Sequence, residues 1–223
     1  HYRICDAPMS DDIQQCRSED IVLSRGYGVC DNVARPCKYF VQLREPISRL
    51  ISEYNYFCRN CREKWKFCVK VRRYRSAYTP SGRCPNMPFL TWAASYNNEY
   101  TRYFLQKWDT KATKSKGGPS YYVDFLKAFP QHRKLTEADL EAALRNLAAP
   151  DMHIVWLEEL KNGGWRKLDE YLGRPHMDLQ SAIQTINVHP ENKYEPTPIE
   201  LEAARDINRL DVALHARLTG GHA

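Results

Sequence analysis

One short segment, residues 38–54, constrains the fold more than any other part of the chain. It begins with an apolar run over 39–43 that predicts a β-strand, and Arg44 follows the end of this run. Pro46 then stands where the first residue of a helix is expected, because its fixed φ angle suits that position and its missing N–H needs no partner there. Such a corner brings a guanidinium and the backbone N–H groups of a helix start to one point, which suits a phosphate.

The predicted helix after Pro46 has two faces at 3.6 residues per turn. Its apolar face, expected to pack on a sheet, carries Ile47, Leu50, Ile51, Tyr54 and Cys58. Its polar face carries Ser48, Ser52, Asn55 and Arg59. Ser52 is therefore expected to be accessible near Arg44. Arg49 is a weaker candidate, because a solvated charge is its ordinary role, and a structural salt bridge is the alternative interpretation of Arg44.

The pattern R-[DE]-P-x-x-R-x-x-S-x-Y over residues 44–54 resembles the 3′-phosphate-binding motif of sulfotransferases that use 3′-phosphoadenosine-5′-phosphosulfate (PAPS). Among these it is most similar to the Golgi-type carbohydrate O-sulfotransferases. The resemblance implies that Arg44 and Ser52 hold the 3′-phosphate of the nucleotide, with Ser48 as a weaker candidate. It implies transfer of a sulfuryl group from PAPS to a hydroxyl of a glycan acceptor.

Later segments match the same family in order. Residues 97–102 resemble its N-x-x-T-R element, the strand and helix over 153–173 resemble its late strand–helix unit, and residues 187–214 resemble its C-terminal region. The resemblance implies an α/β fold with a mainly parallel central sheet flanked by helices and a P-loop-like architecture. The acceptor is then expected near Arg102 and Lys193, although each of these residues on its own is more commonly structural or solvated.

The family's second phosphate-binding element is missing from its expected place. A strand followed by a loop with Lys and Ser or Thr should grip the 5′-phosphosulfate, where charge grows during transfer. Residues 1–19 are interpreted as irregular, without such a strand or loop, and residues 116–120 (Lys-Gly-Gly-Pro-Ser) follow the corner and are interpreted as a surface loop. We therefore interpret the chain as an N-terminally truncated piece, and no catalytic base is assigned.

Length and composition bound the remaining possibilities. The chain of 223 residues is interpreted as a single domain, 1–223, with 33 basic and 27 acidic residues, and it contains no recognisable nucleic-acid-binding module. No apolar run approaches the roughly 18 residues of a membrane span. This piece is thus expected to be soluble and lumenal, in a Golgi protein whose membrane anchor lies outside it.

All eight cysteines lie in the first 84 residues. This clustering predicts disulfides formed in an oxidising compartment. Buried thiols are the second interpretation, and zinc at Cys58 and Cys61 is the third, because the spacings that follow are loose for a zinc module. No metal is assigned, and residues 60–86 are interpreted as an irregular insertion rich in cysteine and basic residues.

Further elements are predicted from periodicity and capping signals. A strand is expected over 21–24 and another over 153–157, the latter followed by a helix that ends near Gly173. Helices are also expected over 88–108, from Thr136, and from Thr197 through Leu214.

Two other classes of function stay open. One is a nucleotide-binding module of the same fold that has lost catalysis. The other is an interaction domain stabilised by disulfides or zinc.

Overall fold

A computed structural model of the chain describes residues 4–6, 21–23, 37–55, 88–105, 134–161, 165–171, 173 and 193–220. Over these ranges the protein is a mixed α/β structure. Its strands are β1 (Ile4–Asp6), β2 (Ile21–Leu23), β3 (Tyr39–Leu43) and β4 (Met152–Trp156). Its helices are α1 (Pro46–Tyr54), α2 (Phe89–Ser95), α3 (Glu99–Phe104), α4 (Glu137–Leu147), α5 (Leu157–Lys161), α6 (Trp165–Tyr171), α7 (Pro198–Ile207) and α8 (Arg209–Thr219).

The described strands form two small sheets of two strands each. In the first, β1 and β2 are parallel, and Ile4 lies opposite Ile21. The prediction that residues 1–19 contain no strand is therefore wrong for residues 4–6. A strand of three residues is too short for alternation to be recognised in the sequence, and its pairing depends on a partner 17 positions away.

The second sheet pairs β3 with β4, and both strands lie close to their predicted positions. The backbone N–H of Tyr39 donates to the carbonyl of Asp151 at 2.8 Å, so the starts of the two strands are adjacent. The side chains that follow their ends, Arg44 and Glu158, are also adjacent, at 3.8 Å. The two strands therefore run in the same direction, and both end at the same edge.

The chain divides into two compact units, one of residues 1–40 and 100–153 and the other of residues 41–99 and 154–223. In the first unit, α4 follows Thr136 as predicted, and the carboxylate of Asp139 accepts hydrogen bonds from the N–H and hydroxyl of Thr136. The side chain of Asn146 donates to the carbonyl of Phe104 at 2.7 Å. This bond engages a carbonyl at the end of α3, where intrahelical donors are missing.

The second unit has a hydrophobic core built from α1, α2 and α7. The predicted apolar face of α1 is confirmed, with Ile47, Leu50 and Tyr54 all buried. The other buried core members are Phe89, Trp92, Ala93, Tyr96 and Ala204. The Tyr54 ring makes edge contacts with the rings of Phe89, Trp92 and Tyr194 at centroid distances of 5.5, 6.2 and 5.0 Å. Each such pair adds roughly 0.5–1.5 kcal/mol beyond the burial of area.

Tyr194 is fixed in this core by hydrogen bonds at both ends. Its backbone N–H donates to Oδ1 of Asn55 at 2.7 Å, and its carbonyl accepts from Nδ2 of Asn55 at 3.2 Å. Its hydroxyl donates to Oε1 of Glu200 at 2.6 Å. Glu200 also accepts from the N–H and hydroxyl of Thr197, which confirms the predicted start of α7. Asn55, which the sequence placed on the polar face of α1, therefore joins α1 to the segment before α7.

Two helices predicted as continuous are each divided at an asparagine. The predicted helix over 88–108 is broken between α2 and α3, where Asn98 has a φ of 50°. The predicted C-terminal helix is broken at Asn208, between α7 and α8. Apolar residues keep helical spacing across both breaks, so periodicity alone did not reveal them.

The two asparagines bond to each other's segments. The N–H of Asn98 donates to Oδ1 of Asn208 at 2.9 Å, and Oδ1 of Asn98 accepts from the N–H groups of Leu210 and Asp211 at 3.0 and 3.2 Å. Asn98 thus caps α8 from a distant part of the sequence, because asparagine tolerates a positive φ and offers an acceptor to the first turn.

Several predictions concern residues outside the described ranges. These are the insertion over 60–86, the loop over 116–120 and six of the cysteines, namely Cys16, Cys30, Cys58, Cys61, Cys68 and Cys84. Cys37 is disulfide-bonded. The remainder of the predicted disulfide set stays a prediction.

Candidate functional site

The predicted strand–arginine–helix corner is present in the structure. β3 ends at Leu43, whose side chain is buried, and α1 begins at Pro46 as the sequence predicts. Arg44 follows the end of β3, and Glu158 follows the end of the neighbouring β4. In open α/β sheets, ligands bind beyond the carboxyl ends of the strands. The corner therefore lies at the edge of this sheet where a ligand site is expected.

Arg44 is partly accessible and faces a carboxylate. Its Nε atom is buried and lies 3.8 Å from Oε1 of Glu158. The side chains of the two residues are 32% and 52% exposed. The salt bridge considered as the alternative role for Arg44 thus has a partner in the structure. Glu158 was missed in the sequence because its position beside Arg44 depends on the pairing of β3 with β4.

The N-terminus of α1 is capped by the protein's own carboxylate. Oε1 of Glu45 accepts from the N–H of Ile47 at 3.1 Å, and Oε2 accepts from the N–H of Ser48 at 2.6 Å. The interpretation that these N–H groups are available to a phosphate is therefore wrong for these two donors. This cap could have been predicted from the sequence, because Glu45 directly precedes a proline at the first helical position.

The two serine candidates lie on the polar face of α1, as predicted. Ser52 is exposed and Ser48 is partly buried. Residues four positions apart share one face of a helix, so the hydroxyls of Ser48 and Ser52 lie along the same side of α1. Arg44 lies outside the helix, in the two-residue connection between β3 and α1. Side chains, rather than the backbone of the first helical turn, are thus the available donors at this corner.

Arg49 has a different role from the one expected. Its side chain is only 12% exposed, and its Nη1 lies 3.3 Å from Glu53 Oε1 and 2.7 Å from Glu99 Oε2. The interpretation of Arg49 as a solvated charge is therefore wrong. It joins α1 to the residue that begins α3, and we assign it to the structure of the second unit.

The two residues proposed for the acceptor side lie in different units. Arg102 is partly buried in α3 and belongs to the first unit, whereas Lys193 is exposed and precedes Tyr194 in the second. In the N-x-x-T-R element, Asn98 caps α8 and Thr101 is fully buried. Two of the residues that carried this resemblance therefore have structural roles.

Within the ranges that the structure describes, no group of three or more His, Cys, Asp or Glu residues could hold a metal ion. No helix there is long and apolar enough to cross a membrane. The candidate site consequently consists of Arg44, Ser48 and Ser52, flanked by Glu45 and Glu158.

Comparison of the chain with protein-family models, with curated proteins and with solved structures found no match. Assignment of a function therefore rests on the motif over residues 44–54 and on the geometry of the corner.

Proposed function

We propose that this chain is part of a PAPS-dependent carbohydrate O-sulfotransferase and that it carries the site for the 3′-phosphate of the nucleotide. The observation that supports the proposal is the corner itself. Arg44 follows the end of β3, and Ser52 is exposed on the helix that begins two residues after Arg44. A guanidinium before a helix start and a hydroxyl on that helix are suitable kinds of donor to phosphate oxygens.

The proposed reaction moves a sulfuryl group between two oxygen atoms. The hydroxyl oxygen of the glycan attacks sulfur in line, an S–O bond forms, and the bond between sulfur and the bridging phosphate oxygen breaks. The nucleotide leaves as 3′-phosphoadenosine-5′-phosphate, and the proton of the hydroxyl passes to a general base. Arg44 and Ser52 would hold the nucleotide at its 3′-phosphate, remote from the reacting sulfur, and so contribute to its binding and orientation.

The wider setting of the proposal follows the family resemblance. The parent protein would have a P-loop-like sulfotransferase fold and act in the Golgi lumen, joined to a membrane by a segment outside this chain. Arg102 and Lys193 would lie on the acceptor side. The disulfide at Cys37 supports an oxidising compartment, where such bonds persist.

Two alternatives are a nucleotide-binding module that lacks catalysis and an interaction domain without a nucleotide. The engagement of the Ile47 and Ser48 N–H groups by Glu45 favours the interaction domain, because it removes two donors from a phosphate. The ion pair of Arg44 with Glu158 favours the interaction domain as well. Nucleotide binding and sulfuryl transfer to a glycan are the measurements that distinguish these candidates.

The test is calorimetric binding of 3′-phosphoadenosine-5′-phosphate to this chain or to a longer protein that contains it. Arg44→Ala should weaken binding by about 1.5–3 kcal/mol, because a charge-assisted contact to phosphate is lost. Ser52→Ala should cost about 0.5–1.5 kcal/mol, as expected for one neutral donor. The matched control is Arg166→Ala, which removes an arginine whose side chain is 87% exposed and which lies outside the corner.

A second ligand localises the effect to the 3′-phosphate. Adenosine 5′-phosphate lacks that group, so Arg44→Ala should leave its affinity unchanged. An equal loss for both ligands, or no loss for either with folding intact, would remove Arg44 from the proposed site. Transfer of labelled sulfate from PAPS to a set of glycans then separates an enzyme from a module that only binds.

A further inference from the structure

We infer that Glu158 competes with the nucleotide for Arg44 and thereby sets the affinity of the proposed 3′-phosphate site. This inference rests on the proposed function and adds to it a residue that determines affinity. Glu158 lies outside the sequence motif over residues 44–54. It reaches the corner because β4 runs beside β3 and its chain continues directly into α5.

The geometry of the contact is that of a displaceable partner. The separation of 3.8 Å between Nε of Arg44 and Oε1 of Glu158 exceeds the usual length of a charge-assisted hydrogen bond, about 2.7–2.9 Å. The side chain of Glu158 is 52% exposed, so water solvates its carboxylate whether or not it faces Arg44. A pair of this kind contributes little to stability, since it is screened and costs side-chain entropy. It can therefore open without disturbing the fold.

A carboxylate at this place acts directly on an incoming phosphate. A phosphate bound to the guanidinium of Arg44 would lie a few ångströms from Glu158, and like charges repel at that range. Glu45 adds a second negative group, but it is bonded to two N–H groups of α1 and cannot leave without uncapping the helix. Of the two carboxylates that flank Arg44, Glu158 is thus the one that can move.

The competition lowers the affinity for every ligand that binds Arg44 through a phosphate. The cost of displacing Glu158 is the same for a free phosphate ion and for a nucleotide. Removal of the Glu158 charge should therefore raise both affinities by a similar factor.

The test measures the affinity of the same chain for 3′-phosphoadenosine-5′-phosphate and for inorganic phosphate. Glu158→Gln keeps the size of the side chain and removes its charge, and it should raise both affinities roughly two- to tenfold. Glu159→Gln is the matched control, because this neighbouring carboxylate faces Lys167 at 3.8 Å instead. It should leave both affinities unchanged. In the Arg44→Ala background, Glu158→Gln should give a smaller gain, because only the repulsion of the phosphate remains to be relieved.

The direction of the change separates competition from a structural role. If Glu158 only held Arg44 in position, Glu158→Gln would weaken binding. A weakened or unchanged affinity, in a chain where Arg44→Ala still weakens binding, would overturn the inference and leave the proposed function standing. If the wild type does not distinguish nucleotides with and without a 3′-phosphate, both fail. Glu158→Ser is a second variant if the first has a lowered melting temperature, and it should show the same gain.

Discussion

Replacement of Asn98 by alanine should destabilise the second unit by far more than replacement of the adjacent Asn97. Oδ1 of Asn98 accepts from two N–H groups at the start of α8, and Nδ2 donates to the carbonyl of Ile207 at 3.2 Å. Asn98 is 8% exposed, and both donors belong to buried residues, Leu210 and Asp211. Water cannot readily replace the lost partner at such a place.

The expected loss has two parts. Removal of an N-cap side chain costs about 0.5–2 kcal/mol, and the burial of both N–H groups that lose this acceptor places the cost at the upper end of that range. Alanine is also less tolerant than asparagine of the φ of 50° at this position, which adds on the order of 1 kcal/mol. We therefore expect Asn98→Ala to lower the free energy of unfolding by about 2–4 kcal/mol.

Two further variants separate these parts. Asn98→Gly relieves the backbone but removes the cap, so it should be destabilised by less than Asn98→Ala yet remain below the wild type. Asn98→Asp keeps the Oδ1 acceptor and places a negative charge at a helix start, but it loses the donor to Ile207, so it should retain most of the cap. Urea denaturation followed by tryptophan fluorescence can report the unfolding, since Trp92 is fully buried in this unit.

The control is Asn97→Ala. The side chain of Asn97 donates to the carbonyl of Ala94 in an exposed hydrogen bond of 2.6 Å, and its loss should cost less than about 1 kcal/mol. If Asn98→Ala falls within about 0.5 kcal/mol of Asn97→Ala, the capping argument is refuted. A glycine variant as stable as the wild type would refute it too.

Two more variants test the electrostatics of the second unit. Arg49→Ala should lower the free energy of unfolding by about 1–3 kcal/mol, because Glu53 and Glu99 both lose their ion pair with Arg49. The exposed Arg166→Ala should cost less than about 0.5 kcal/mol, and equal losses in chemical denaturation would contradict this prediction. The hydrogen bond from Tyr194 holds the pKa of Glu200 below its ordinary value of 4.5, with a further contribution from Thr197, so Tyr194→Phe should raise that pKa in an NMR titration. A carboxyl whose pKa is lowered on folding stabilises the protein above its unfolded-state pKa, and this stability is lost as the pH falls through the folded-state pKa. Tyr194→Phe should therefore lose less stability than the wild type when the pH is lowered below 4.5. An unchanged titration of Glu200 would refute the assignment.

The corner over residues 38–54 could be predicted from the sequence because its signals are local. Proline at the first helical position fixes the start of α1, and helical periodicity fixes which face is buried. The capping residues Thr136 and Thr197 were recognised for the same reason. In each case the residues that determine the structure lie within a few positions of one another.

The features that the sequence did not reveal depend on distant partners. β1 has three residues and exists through its pairing with β2. The divisions at Asn98 and Asn208 arise because each asparagine bonds to the other's segment, 110 positions away, while the apolar spacing continues unchanged. Glu158 meets Arg44 only after two strands have paired. Local patterns in a single sequence do not indicate which distant residues come into contact.

The separation of these partners along the chain also bears on when the second unit can fold. Asn55 and Tyr194 are 139 residues apart, and the cap on α8 joins residues 110 or more apart. Contacts that close long loops must overcome the entropy of closure before they stabilise anything, and they slow folding. During synthesis, α1 and α2 can therefore pack against each other well before the rest of this core exists. The faces that they leave for Tyr194 and α7 stay uncovered until those later residues emerge.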